Sequence, residues 1–295
     1  MAAKTKRAPK LDPRITPARK DLAAEALRGK VEAERFVEPA PHVVNRARVA
    51  LRPRPERTAT LDTVLLFGEP FDVYDVTDGW AWGQSGLDGF VGYLPESAVI
   101  PAQGQDKTHM VCALGCQMYD APKLKLPPIA TMPFGARVRV TETKDRYSKL
   151  ASGAWVPAPL LRALDAPEKD WVAVAERFLH VPYVWGGRSS NGIDCSGLVQ
   201  LALQSAGANC PRDSDMQEDA LGETLEGNAD LQRGDLIFWK GHVGIMADAE
   251  TLLHANAHHM CVAVEPLTEA TARISKSGDG EITRRARLDA ALNPA

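Results

Sequence analysis

The sequence predicts an α+β chain: two small antiparallel β-barrels, then a domain in which helices pack on an antiparallel sheet. Three observations predict it. Between residues 43 and 100 the hydrophobic period is two, in short stretches rich in β-branched and aromatic residues and separated by Gly, Asp and Pro. The block 109–164 is a looser copy of that pattern: MPFGARVRVTETKDRYSKL echoes LFGEPFDVYDVTDGWAWGQ, and GAWVPAPLLRAL echoes FVGYLPESAV. From residue 165 onward apolar residues first follow helical spacing and then return to short strands, the order of helices followed by a meander.

Taken in order, residues 1–20 hold seven Lys and Arg against one Asp and are interrupted by Pro, the composition of a mobile basic tail. Over 21–35, Leu22, Ala23, Leu27 and Val31 fall on one stripe and predict a helix packed on a neighbouring domain. Residues 1–40 therefore read as a tail with a helical extension. The first barrel is expected over 41–104, its five strands drawn from VVNRARVALRP, TVLLFGEP, FDVYDVTDG, WAWGQS and FVGYLPESAVI. The second is expected over 105–164, joined to the first near 101–106.

The last domain, 165–295, opens with Asp165, Ala166 and Pro167 at a helix start, followed by Trp171, Val174, Ala175, Phe178 and Leu179 on one apolar face. A second helix begins at Cys195. Asp194 stands at its N-cap position, and Leu198, Val199, Ala202, Leu203 and Ala206 line a buried face up to Gly207. Residues 211–217 read as a polar loop or a passage from loop to helix. Strands are expected at 235–239, 242–248, 251–256 and 261–267, with a last one within 280–288.

Composition narrows the function. With 44% hydrophobic residues, 25% charged residues and a net charge of −3, the chain has no global basic field for nucleic acid or an acidic membrane. No apolar run is long enough to span a bilayer. The basic N-terminus is not followed by the apolar core of a secretory signal, so a cytoplasmic location is expected. The five cysteines are odd in number and irregularly spaced, which suits reduced thiols. Cys112 and Cys116 lie four apart with no second ligand pair, and no metal or cofactor is expected.

Chemistry gathers around Cys195. The unpaired N–H groups and the dipole of a helix N-terminus favour a thiolate, so a lowered thiol pKa is expected there. A cysteine taken alone is more often a small buried hydrophobe. Here Gly241-His242-Val243-Gly244-Ile245 supplies a strand-borne His after Gly234-Asp235-Leu236-Ile237-Phe238, and His254 follows twelve residues later on the next strand. Adjacent antiparallel strands bring two such side chains together, which provides a base for the thiol and a group to hold the base's ring. His258 and His259 read as residues of an exposed turn.

The motifs PYVWGG, DCSGLV, PRDSDMQ, RGDLIFW, HVGIM and LLHA, in that order over about 168–268, resemble the NlpC/P60 family of cell-wall cysteine peptidases, which are papain-like in fold. The two barrels resemble bacterial SH3 domains. Together they resemble the γ-D-glutamyl-L-diamino-acid endopeptidases that trim murein peptides with a free N-terminal L-Ala. That resemblance implies Cys195 as nucleophile, His242 as general base and then acid, and His254 as ring orienter. It implies that Tyr183 assists the oxyanion, that Asp194, Ser196, Asp213 and Ser214 line the L-Ala-γ-D-Glu pocket, and that Glu69 and Tyr93 of the first barrel close its amine end. Asp194 would serve as helix cap, as partner of the substrate ammonium, or as both.

The expected partners are murein peptide fragments in cell-wall recycling, with no nucleic acid and no membrane span. The third substrate residue (diaminopimelate or Lys) and the oligomeric state are not readable from the sequence. Three other readings stand beside this one: a wall-acting murein endopeptidase, a non-catalytic murein-binding protein, and an acyltransferase or amidase of related fold.

Overall fold

A computed structural model describes residues 11–102, 106–227, 229–278 and 280–289. In the first β unit the period-two pattern becomes a five-stranded antiparallel sheet. Its spatial order is Val91–Pro95, Trp80–Ser85, Pro70–Thr77, Ala40–Val44 and Val99–Pro101. Arg48–Leu51 and Thr63–Leu66 pair as a separate two-stranded sheet. Leu51, Leu65, Phe71, Ala81 and Leu94 are fully buried between the two. Among the described residues these strands do not close into a barrel. The two sheets meet through a single bridge, Arg52 to Tyr93, and the chain then runs into Pro53 and Pro55, which have no N–H to continue a ladder.

The second unit repeats the same pairing scheme in three smaller sheets. His109–Val111 lies between Arg137–Val138 and Leu161–Ala163, Gly115–Met118 pairs with Ala130–Pro133, and Val140–Lys144, Tyr147–Leu150 and Trp155–Pro157 form a meander. It has its own buried cluster around Val111, Cys116, Val138 and Val156. The expected join at 101–106 falls partly on residues 103–105, outside the described residues.

The helix expected over 21–35 does not form. Leu22–Ala24 instead pairs in parallel with Arg35–Val37 across a short 3-10 turn at Glu25–Leu27. Leu22, Ala23 and Ala24 are all buried in succession, which a one-sided helical stripe does not allow, and Gly29 breaks the run at φ +77°. Nor are residues 11–20 a loose tail. The Arg14 carbonyl accepts the Val91 N–H at 2.8 Å, and the Arg19 guanidinium lies 4.4 Å over the Trp82 ring. Residues 1–10 lie outside the described residues.

In the last domain, α1 (Trp171–Glu176) starts later than Pro167 suggests, because the Asp170 carboxylate caps it by accepting the Ala173 N–H at 2.9 Å. Leu179 falls beyond its end and is exposed. Helix α2 (Cys195–Ser205) is as expected, with Gly207 left-handed at φ +82°. Helix α3 (Ser214–Ala220) occupies the polar stretch after Pro211.

Six antiparallel strands follow: β1 (Glu223–Thr224), β2 (Leu236–Trp239), β3 (His242–Met246), β4 (Thr251–Asn256), β5 (Cys261–Pro266) and β6 (Arg284–Arg287), in the spatial order β1-β6-β2-β3-β4-β5. Helix α4 (Leu267–Ser277), absent from the sequence reading, buries only Ala270 and Ile274, too thin a stripe to stand out. Leu198, Val199 and Ala202 of α2 pack on Val243, Ile245 and Leu253 of the sheet. Leu66 and Met110 of the two β units join that same core.

Candidate active site

The polypeptide around Cys195 is fixed before any catalytic group is considered. The Asp194 carboxylate caps α2 by accepting the Gly197 N–H at 2.7 Å, and its other oxygen accepts the Gly186 N–H at 2.8 Å. A Cβ at Gly197 would lie 2.5 Å from the Gly187 carbonyl oxygen, so this close turn admits only glycine. Arg212, 1% exposed, clamps the assembly: it donates to both Asp194 oxygens at 3.0 and 2.7 Å, to Ser196 Oγ at 2.9 Å, and to Thr63 Oγ1 of the first β unit at 2.7 Å. A buried guanidinium is held only where carboxylate and carbonyl acceptors surround it.

Cys195 is 7% exposed, and its thiol lies against the backbone N–H groups of Ser196 and Val243. Val243 follows His242 at the start of β3. His242 Nε2 is 2.8 Å from His254 Nδ1 on β4, and His254 Nε2 is 2.8 Å from Glu265 Oε1 on β5. Arg273 on α4 donates to the same Glu265 oxygen. A carboxylate only accepts, so His254 donates from Nε2 and presents a bare Nδ1. His242 must then donate from Nε2, which leaves its Nδ1 lone pair for the thiol proton. The chain His242, His254, Glu265, Arg273 thus sets both tautomers from one end.

Two cavities lie along this network, and Cys195 lines the smaller of them. One, of about 180 Å³, is lined by Asp62, Tyr183, Asp194, Ser196, Asp213 and Ser214 among others. The other, of about 520 Å³, lies on the His242 side. A third, of about 450 Å³, shares Asp62, Trp185 and Asp213 with the first and extends to Tyr93, Arg14 and Arg19.

The NlpC/P60 family model matches residues 180–275, and that of the bacterial dipeptidyl-peptidase Sh3 domain matches 51–99. A "probable endopeptidase" of Corynebacterium glutamicum is 37% identical over 169 residues, which cover 55% of this chain and 79% of the relative. The chain belongs to the NlpC/P60 family. A γ-D-glutamyl-L-lysine dipeptidyl-peptidase of Bacillus cereus is 27% identical over 244 residues, 70% of this chain and 71% of that protein. The crystal structure of an NlpC/P60 family protein from Bacillus cereus superposes with a TM-score of 0.72 at 20% identity. It covers 84% of this chain and 99% of its own, a likeness of fold.

The NlpC/P60 site corrects three expectations. The Cys195 thiol is not lowered: burial and the Asp194 carboxylate push it up to about 12, against the Ser196 and Val243 N–H groups and Arg212. His242 is pushed down to about 3 by burial and by His254. The thiol and the His242 imidazole are therefore both neutral at rest. Second, Glu69 does not reach the substrate cavities. It is 1% exposed and holds Arg188 at 2.8 and 3.0 Å while accepting the Leu66 N–H at 3.0 Å. Third, Asp194 lines the small cavity as expected, but its oxygens already accept from Gly197, Gly186 and twice from Arg212, which leaves the cap as its role rather than the ammonium partner.

Tyr183, Ser196, Asp213 and Ser214 line the small cavity as expected, and Tyr93 stands in the adjoining one, where it accepts from Arg19 at 3.1 Å. The sequence reading missed Asp62 of the first β unit, Arg14, Arg212 and Glu265. Arg212 stands beside Asp213 within PRDSDMQ, and Glu265 is the acid that follows CVAV. Asp62 and Arg14 carry no local signal. The Arg14 guanidinium reaches Asp213 at 2.7 Å and Asp215 at 2.8 Å from far along the chain.

His254, His259 and Glu265 offer ligand atoms within 4.8 Å of one another. Two of those atoms are already hydrogen-bonded together and Arg273 occupies the carboxylate, so the cluster is a ring-orienting network. Glu265→Gln should lower kcat/KM about tenfold or more, because an amide no longer forces either tautomer. The alkylation rate of Cys195 at neutral pH should fall in parallel. A drop in thermal stability with an unchanged alkylation rate would mean that Glu265 is only structural.

Proposed function

We propose that this protein hydrolyses the γ-D-Glu–diamino-acid bond of murein peptides that carry a free N-terminal L-Ala. The observation that carries this reading is the acidic cavity beside Cys195. The Asp62 carboxylate lines it with no ion-pair partner among the described residues. Burial and the neighbouring Asp213 push Asp62 up to about 6. A substrate ammonium is the group that such a carboxylate lacks. Asp213, which burial also raises, already shares Arg14, so Asp62 is the freer partner. The resting thiol transfers its proton to His242 Nδ1 as sulfur attacks the γ-carbonyl carbon. The carbonyl oxygen becomes an oxyanion, held by the Cys195 backbone N–H and by Tyr183, whose hydroxyl burial keeps protonated. The C–N bond then breaks, His242 gives its proton to the leaving amine, and water hydrolyses the thioester.

Soluble fragments with a free end suit this cavity, and the proposed role is wall-peptide recycling in the cytoplasm. The repeated pairing scheme over 105–164 supports reading that unit as a degenerate second SH3-like copy. A second reading has one observation in its favour. The amine end opens into the 450 Å³ cavity lined by Trp82, Tyr93 and Trp185, room for a longer donor still attached to the wall. A donor attached to the wall holds its L-Ala nitrogen in an amide, so that reading carries no selection for a free amine.

Wild-type kcat/KM should rise with pH through about 6 as Asp62 ionises. It should fall again near pH 8 as the substrate ammonium, of pKa about 8, loses its proton. Asp62→Asn should remove the acid limb and lower kcat/KM about tenfold or more. N-acetylating the L-Ala should cost wild type as much as the mutation does. Equal rates on free and acetylated peptide would refute the free-amine reading and favour the wall-acting one.

A further inference from the structure

We infer that Arg14, reaching in from the N-terminal segment, is a positioning residue of the amine end: it binds Asp213 and Asp215, so that Asp62 alone meets the substrate ammonium. The inference rests on the reading above. Asp62, Asp213 and Asp215 all line the small cavity beside Cys195. Three carboxylates around one ammonium make a site of mixed charge, because neighbouring acids share protons. Arg14 takes two of them out of that competition. Its guanidinium donates to Asp213 at 2.7 Å, to Asp215 at 2.8 and 2.9 Å, and to Asp12 of its own segment at 2.7 Å. Asp213 stands at the N-cap position of α3, yet its side chain makes no cap bond and turns to Arg14 instead.

The segment that carries Arg14 is anchored independently of these acids. The Arg14 carbonyl accepts the Val91 N–H at 2.8 Å, the Ile15 carbonyl accepts from the Gln84 side chain at 2.9 Å, and Arg19 pairs with Asp75 at 2.7 Å. Arg14 is thus held at the 450 Å³ cavity by the first β unit, while its guanidinium acts on the catalytic domain. Asp62 feels Asp213 and Arg52, and Asp213 feels Arg14, Arg212 and Asp215. Arg212 is already committed to Asp194. Arg14 is therefore the cation that keeps Asp213 ionised while Asp62, pushed up to about 6, still holds its proton.

The pH profile of kcat/KM reports groups of the free enzyme, and measured on L-Ala-γ-D-Glu-meso-diaminopimelate with the full chain it tests the inference. Wild type should show one acid step near 6. Arg14→Ala should show two, the upper about one pH unit higher, because Asp213 then titrates with Asp62 as a pair. Arg14→Lys should restore the single step. So should Arg14→Ala combined with Asp213→Asn, in which the acid leaves with its partner. A single step near 6 in Arg14→Ala, with only a lower rate or a lower unfolding midpoint, would make Arg14 merely structural and overturn the inference, leaving the peptidase reading intact. Two steps persisting in the double variant would overturn it as well. No cleavage by folded wild type would overturn both.

Discussion

Alanine in place of Glu69 should destabilise the folded protein by about 3–5 kcal/mol, a large share of the stability of any chain. Glu69 and Arg188 are each 1% exposed and join the first β unit to the catalytic domain. Removing the carboxylate leaves the Arg188 guanidinium buried with only the Gln204 side chain at 2.7 Å and the Val64 carbonyl at 3.2 Å as acceptors. The cost comes mostly from that uncompensated charge. Urea unfolding monitored by tryptophan fluorescence should show it as a lower midpoint. Replacing both residues by Met should cost far less than Glu69→Ala alone, because the charge then leaves with its partner. A double variant as unstable as the single one would mean that shape, not charge, ties the two units together.

Cys195→Ala should abolish peptide cleavage, and His242→Ala should reduce it by roughly a thousandfold or more, with unfolding midpoints little changed. The finer test is the pH dependence of Cys195 alkylation. With the thiol pushed up to about 12 and His242 pushed down to about 3, neither is charged near neutrality. The iodoacetamide rate should therefore climb with pH across the neutral range, with no plateau in acid, and should drop in His242→Ala because the base is gone. A rate already maximal near pH 5 would show a preformed thiolate–imidazolium pair and contradict the neutral resting state.

The candidate set around Cys195 was legible because its signals are local. A cap, a helix and two strand-borne histidines twelve residues apart are readable from a short window, and the pairing of β3 with β4 leaves His242 within 2.8 Å of His254 on a diagonal. The thiol's direction of shift was not legible. A helix N-terminus is visible in sequence, but burial is a property of the whole packed site, and here it outweighs the dipole. The same limit applies to Glu69. The family resemblance implied a place for it at the substrate, yet its partner Arg188 lies 119 residues away and draws it into the interface. Asp62 and Arg14 enter the pocket only through such long-range packing. The helix expected over 21–35 failed for a different reason: three consecutive buried residues fit a strand pair, and the stripe hid that succession.

The most direct test of the account is liquid chromatography with mass spectrometry of the two tripeptides, L-Ala-γ-D-Glu-meso-diaminopimelate and L-Ala-γ-D-Glu-L-lysine, incubated with wild type and with Cys195→Ala. Release of L-Ala-D-Glu and the free diamino acid by wild type alone is the expected result, and it fixes bond, reaction and nucleophile together. Intact tripeptides after incubation with folded wild type, or equal release by Cys195→Ala, would contradict the account.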